Sequence, residues 1–295
     1  PVDIPERGRP PRSMEEIEPA IAPAARGRPP PGLPPSTPPW LRHAAAGVGP
    51  VDGRPVVAVI VDDLGLSRRR AAEIIDLPSP LTLAFLPYAA GVAEQAAAAR
   101  RAGHELLVHL PMEPLGTDDP GPQALLTSLP DSEFRHRLRW GLARFDGYVG
   151  VNNHMGSRAT ADRRKMALVM QELSARGLLF VDSRTTPQSV AGAEARRRGV
   201  PHTGRDVFLD NVPDGGYIRA RLRQVETIAR RTGAAVAIGH PYPETVAALR
   251  EWLATLESRG FSLVAVTAVV AQRLCRDGTR VAACRAYAAL QTSRD

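Results

Sequence analysis

Val57-Ala-Val-Ile-Val-Asp-Asp-Leu-Gly-Leu-Ser67 is the stretch whose reading decides the fold. Five apolar residues, mostly β-branched, run straight into two adjacent carboxylates, then a glycine, then a serine able to cap a helix. With no polar alternation, the run reads as a strand buried on both faces. Asp62 and Asp63 then stand at its carboxyl end, where open α/β sheets and α/β barrels keep their chemistry. Successive side chains on a strand point to opposite sides, so alternation predicts separate tasks for the two aspartates. An isolated pair could equally cap the following helix and turn a loop.

Outward from this stretch the same arrangement repeats. Apolar runs predict strands at about 56–62, 81–86, 105–110, 147–153, 178–182, 205–209, 234–239 and 262–267. Amphipathic, alanine- and arginine-rich stretches predict helices at about 67–76, 91–102, 131–145, 161–176, 187–198, 215–232 and 243–259. Gly103, Gly177, Gly233 and Gly260 each stand where a helix gives way to a strand, as C-terminal stop glycines do. Regular alternation implies an α/β fold with a mostly parallel sheet and right-handed crossovers, and seven or eight units favour a barrel. No Gly-x-Gly-x-x-Gly or Gly-x-x-x-x-Gly-Lys-Ser/Thr loop follows any strand, which argues against a nucleotide-binding version.

Composition bounds the rest. The 295 residues carry a net charge of +7, yet their basic side chains are almost all arginine, with Lys165 the single lysine. Aromatics are 5% and no arginine–aromatic stacking surface stands out, so the charge reads as compositional bias and nucleic acid is not a predicted partner. Fifteen of the 28 prolines fall in residues 1–55. A stretch so rich in proline and poor in large apolar residues cannot form helices or inner strands, so residues 1–54 read as a disordered linker. Met14-Glu-Glu-Ile-Glu18 could form one helical turn within it. Residues 55–273 then form the barrel, and 274–295 a C-terminal extension. The chain begins with proline, which leaves room for a signal or membrane anchor ahead of residue 1. Cys275 and Cys284 permit a local disulfide, and equally two free thiols. No feature of the sequence sets an oligomeric state.

The predicted strand ends carry a recurrent set of polar residues. They are Asp62-Asp63, His109, Asn152-Asn153-His154, Asp182 with Arg184, Asp210 and His240. Parallel strands bring such ends to one rim, and titratable groups converging there have the look of a catalytic site. Two neutral imidazoles and one carboxylate suit a catalytic zinc that keeps an open position for water. His104 cannot belong to this set. It lies five residues before His109, about 16 Å away along an extended strand and on the opposite face, and reads as structural.

Val59-Ile-Val-Asp-Asp-Leu-Gly65, His109-Leu-Pro-Met-Glu-Pro114, Asn152-Asn-His-Met-Gly-Ser157, Val181-Asp-Ser-Arg-Thr-Thr-Pro187, Phe208-Leu-Asp-Asn211 and Ile238-Gly-His240 together resemble the divergent polysaccharide deacetylase family. The resemblance covers about residues 55–273. It implies an irregular (β/α) barrel of the NodB-like deacetylase type, one divalent metal ion, most simply zinc, and a location in the bacterial periplasm or elsewhere outside the cytoplasm. By position, Asp62 resembles the catalytic base and His240 the catalytic acid, while Asp63, His109 and His154 resemble the metal ligands. Arg184, Asn152 and Asn153 would then stabilise the oxyanion or hold sugar hydroxyls, with Asp182 and Asp210 orienting a histidine or Arg184 behind them. The implied activity is metal-dependent N-deacetylation of an envelope polysaccharide or a peptidoglycan-derived glycan.

The chain departs from ordinary deacetylases of this fold in one respect. Their two ligand histidines come from a single His-x-x-x-His motif, which is absent here. That departure favours the rival reading, a non-catalytic envelope module that binds glycan or protein on a deacetylase barrel. The paired aspartates and strand-end histidines favour the enzyme.

Overall fold

A computed structural model describes residues 37–45 and 53–276. Strand β1 (Val56–Leu64) is the predicted run. It is followed by α2 (Arg68–Ile75), β2 (Thr82–Phe85), α3 (Val92–Arg101), β3 (Glu105–Met112), α4 (Asp131–Leu142) and β4 (Gly150–Met155). Then come α5 (Arg163–Arg176), β5 (Leu179–Asp182), α6 (Ala191–Arg198), β6 (His202–Gly204), β7 (Val207–Phe208), α7 (Gly215–Thr232), β8 (Ala234–Gly239) and α8 (Pro243–Leu256). A short α1 (Pro39–Arg42) precedes them, and β9 (Ser262–Leu263) and α9 (Val266–Arg276) close the described chain.

Strand order is β6-β5-β4-β3-β2-β1-β8-β7, and every pairing is parallel. The order is cyclic, with each strand beside its neighbour in sequence and one break between β6 and β7. The sheet is therefore a curled, incomplete NodB-like barrel, as expected. Its connections all run in one sense, and right-handed crossovers then put the intervening helices on the outer face. Val57, Val59 and Val61 pack outward into that layer with Ile74, Leu173 and Leu222. Val56, Ala58 and Ile60, offset by one residue, point inward.

The inner face holds three departures from expectation. The strand predicted at 262–267 is a two-residue β9, paired with the start of β1, followed by helix α9. Residues Val266 to Ala271 are all buried, Thr267 being the one polar side chain among them, and periodicity cannot separate such a buried helix from a buried strand. Of the strand predicted at 205–209 only the two-residue β7 forms, and β6, which was not predicted, lies just before it across the barrel's break, which α9 bridges. Arg273 there donates to Thr203 Oγ1 (2.6 Å) and to Asp206 Oδ2 (2.6 Å). Finally, the linker expected through residue 54 is ordered at 37–45. Trp40 and Leu41 are buried against the inner-face core, and Trp40 donates its backbone N–H to Gly177 O.

The predicted turn at Met14–Glu18 and Cys284 lie outside the described residues. Cys275, at the end of α9, is disulfide-bonded. No helix among the described residues is long and apolar enough to cross a membrane.

Candidate metal centre

Alternation along β1 places Asp62 in the inward row of Val56, Ala58 and Ile60, and Asp62 is 3% exposed. Asp63 should face the opposite way, but the ladder to β2 shifts register between Val61 and Leu64, and Asp63 adopts a left-handed φ of 57°. For a residue other than glycine that conformation costs about 1–3 kcal/mol, and such strain gathers at functional sites. It turns the second carboxylate back toward the first. Both then meet one imidazole: His109 Nε2 lies 3.2 Å from Asp63 Oδ1 and 3.7 Å from Asp62 Oδ2. The two carboxylates therefore share one site. Gly65, at φ 111°, makes the bend possible, since a side chain there would put its Cβ 2.6 Å from Ala89 Cβ.

His154, at the end of β4, brings Nδ1 within 2.9 Å of the same Asp63 Oδ1. One ligand atom each from Asp63, His109 and His154 falls within a mutual 4.8 Å. Despite these distances Asp63 Oδ1 is a buried oxygen with no hydrogen bond. Asp63 Oδ1, His109 Nε2 and His154 Nδ1 are thus close enough together for one cation to meet all three. Two imidazoles and a carboxylate are also an ordinary catalytic zinc donor set. The three residues fit a divalent metal.

Asn152 fixes the orientation of two members of the group. Its Oδ1 lies 2.9 Å from His109 Nδ1, and its Nδ2 donates to Asp62 Oδ1 at 2.7 Å. Because the amide oxygen can only accept, Nδ1 of His109 carries the proton and Nε2 keeps its lone pair for the centre. Burial raises the pKa of Asp62, with the charge of His109 opposing it. Burial also resists ionisation of Asp63, but the facing His109 and His154 overcome it and hold that carboxyl far below the usual range. His109 moves upward, its burial outweighed by Asp62 and Asp63. A cation at the shared point would supply that charge instead and leave the ring neutral.

Across the site, His240 follows β8. Its Nδ1 donates to Asp210 Oδ1 at 2.9 Å, and Asp210 Oδ2 accepts from Thr245 Oγ1 at 2.8 Å. His240 Nε2 is left 3.8 Å from Asp63 Oδ2. Burial alone would lower the pKa of His240, but the Asp210 bond and the charges of Asp62, Asp210 and Asp63 raise it to about 9.

Residues 59–270 match the divergent polysaccharide deacetylase family. The chain belongs to that family. It is 34% identical over 200 residues to the uncharacterized protein YibQ of Escherichia coli K12, a match covering 68% of this chain and 63% of that one. An uncharacterized protein of Haemophilus influenzae is 32% identical over 200 residues, covering 68% and 71%. Among solved structures, the uncharacterized protein ATU2773 from Agrobacterium tumefaciens C58 superposes with a TM-score of 0.76 at 34% identity, over 78% of this chain and 94% of that one.

In this member of the family, several residues expected at the centre make other contacts. Asn153 spends its amide on the backbone, donating to Met155 O and accepting from Ser183 N–H. Asp182 caps its own loop, accepting from Arg184 N–H and Ser189 Oγ. Arg184 is exposed, with a left-handed φ of 51°, and its guanidinium passes over Gly204 beside the barrel's break, in a cavity that Asp63, His109 and His154 do not line. Asn152 reaches Asp62 and His109 rather than open space.

Arg205 and Tyr88 were not singled out by sequence. Arg205 donates to Ser183 O and Arg184 O and lies near enough to Asp62 to feel its charge. Burial raises the pKa of Tyr88, and the Asp63 charge adds to the rise. Register alone could have found the role of Asn152: it is the direct cross-strand partner of His109.

Proposed function

We propose that this chain is a metal-dependent carbohydrate N-deacetylase of the bacterial cell envelope. One observation carries the proposal: a buried carboxylate oxygen without a hydrogen bond, faced by two imidazole nitrogens, with a second carboxylate and an Asp–His pair on either side. Asp63, His109 and His154 would hold the ion, most simply zinc. When bound, such an ion polarises the acyl carbonyl and lowers the pKa of water toward about 7.

The rest of the chemistry falls to the chain's own side chains. Asp62, held by Asn152, accepts a proton from the attacking water, whose oxygen bonds to the acyl carbon. His240, anchored through Nδ1 on Asp210, gives the proton on Nε2 to the leaving nitrogen as the C–N bond breaks. Acetate and the free amine of the sugar are the products. An envelope polysaccharide or a peptidoglycan-derived glycan outside the cytoplasm is the substrate this reading favours, in keeping with the family.

The test is elemental analysis of the purified protein beside His109→Ala and His154→Ala. About one metal ion per chain, lost in both variants and accompanied by amine release from acetylated glycans, supports the proposal. A protein that takes up no metal after incubation with zinc would be a glycan- or protein-binding module instead.

A further inference from the structure

Among the described residues, the large exposed apolar side chains gather on one rim. They are Leu66, Leu115, Val212 and Tyr242. Each lies on a loop leaving the carboxyl end of a strand, after β1, β3, β7 and β8 respectively. Leu66 is three residues past Asp63, Val212 two past Asp210 and Tyr242 two past His240. Leu66, 63% exposed, and Tyr242, 38% exposed, line a single cavity of about 260 Å³. Leu64 and Pro241 extend its apolar wall, and its lining also takes in Asp63 and His240.

The two loops that form it are tied together. Arg70 Nη1 donates to Pro241 O at 2.9 Å, so the gap has fixed walls. Apolar side chains left in water beside a reactive centre mark a surface that a ligand covers. Ser67 and Arg70 also line the cavity, Arg70 being engaged in part by Pro241 O, but the two leucines, the proline and the tyrosine ring give it a wall that matches hydrocarbon.

We infer that the centre takes N-acyl groups longer than acetyl, with the chain of the acyl group seated between Leu66 and Tyr242. The inference rests on the hydrolase reading for the position of the carbonyl, next to Asp63 and His240. An acetyl group offers this wall one methyl. Each further methylene withdrawn from water is worth about threefold to fourfold in affinity, so a six-carbon chain should gain about tenfold or more even when half covered.

Calorimetric titration of the metal-free protein with N-acetyl- and N-hexanoyl-glucosamine tests the cleft without depending on turnover. The hexanoyl compound should bind at least about tenfold tighter, and Leu66→Asn, a change at an exposed position, should erase the difference. Equal affinities, binding of neither compound, or a preference that persists in Leu66→Asn would overturn the inference. Amine release from the same two compounds by the zinc-loaded protein separates it from the reading beneath it. Faster release from the acetyl compound would defeat the chain-length preference and leave the hydrolase intact. Release from neither, with the binding preference present, would defeat the hydrolase and leave an acyl-binding cleft.

Discussion

Asn152 ties two members of the candidate site together. It is fully buried, donates to Asp62 and accepts from His109, so one amide sets the direction of a carboxylate and the tautomer of an imidazole. Replacing it with alanine leaves Asp62 Oδ1 and His109 Nδ1 without these partners in a dry site. Outer-shell changes of this kind typically cost about 10–100-fold in metal affinity. The stability cost of an abandoned buried group is about 1–3 kcal/mol. Competition against a chelator of known affinity should therefore show zinc bound at least about tenfold more weakly in Asn152→Ala, with a lowered Tm. Unchanged zinc affinity would make Asn152 a packing residue. Asp62, Asp63, His109, His154 and His240, which the fold brings together, stood out in the sequence because a charge or imidazole at the end of an apolar run contrasts with its surroundings. Asn152 stands behind Asp62 and His109, while Asn153 and Asp182 bond to their own loops and Arg184 lies beside Gly204. Whether an amide, a carboxylate or a guanidinium at a strand end faces the site or its own loop depends on the backbone φ of the next residues, which leaves little trace in a single sequence.

At the scale of the element, the carboxyl end of β1 carries the largest local deviation. A straight strand would send Asp63 outward, and the site exists because the register shift and left-handed Asp63 send it back. The Asp62-Asp63-Leu-Gly65 string was legible as a strand end. Its bulge was not, since period-two reasoning assumes regular backbone. Gly65 is the hinge of the deviation. Its φ of 111° is open to glycine almost alone, and a Cβ would press on Ala89. Gly65→Ala is expected to lower stability by about 1–3 kcal/mol through strain and overpacking, and to weaken metal binding by displacing Asp63. Thermal unfolding with and without zinc should show both effects, the Tm gain from saturating zinc being smaller in the variant. A variant with lower Tm but the wild-type gain would confine the role of Gly65 to packing. Helix α9 shows a second limit of pattern reading. Its first six residues, five valines and alanines around a buried Thr267, are all out of water and give no exposed polar face from which to count a period.

Across the whole molecule, the cyclic order of parallel strands was legible because each β–α unit announces itself by composition. The plug within it was not, because its parts come from opposite ends of the chain. Segment 37–45 and α9 meet at Glu105, on the first residue of β3 and fully buried. Its carboxylate accepts from Ala45 N–H at 3.3 Å, Thr267 N–H at 3.1 Å and Thr82 Oγ1 at 3.4 Å. Burial raises the pKa of Glu105 above the ordinary value of 4.5, with the Thr267 and Ala45 bonds and the Arg100 charge only partly opposing it. The folded chain therefore holds a proton that the unfolded chain releases. The associated stability is fully present below about pH 4.5 and is lost as pH rises through the folded value. Glu105→Gln has no proton to lose. The stability of the wild type minus that of Glu105→Gln should then decline as pH rises from 4.5, by up to about 1.4 kcal/mol per pH unit, and level off once Glu105 ionises in the fold. Denaturant unfolding of both proteins at a series of pH values reads this difference directly. A difference that stays constant, or grows with pH, would mean that the three donors outweigh burial and that Glu105 enters the fold as a carboxylate. The plug would then be held by charge-assisted hydrogen bonds rather than by neutral ones.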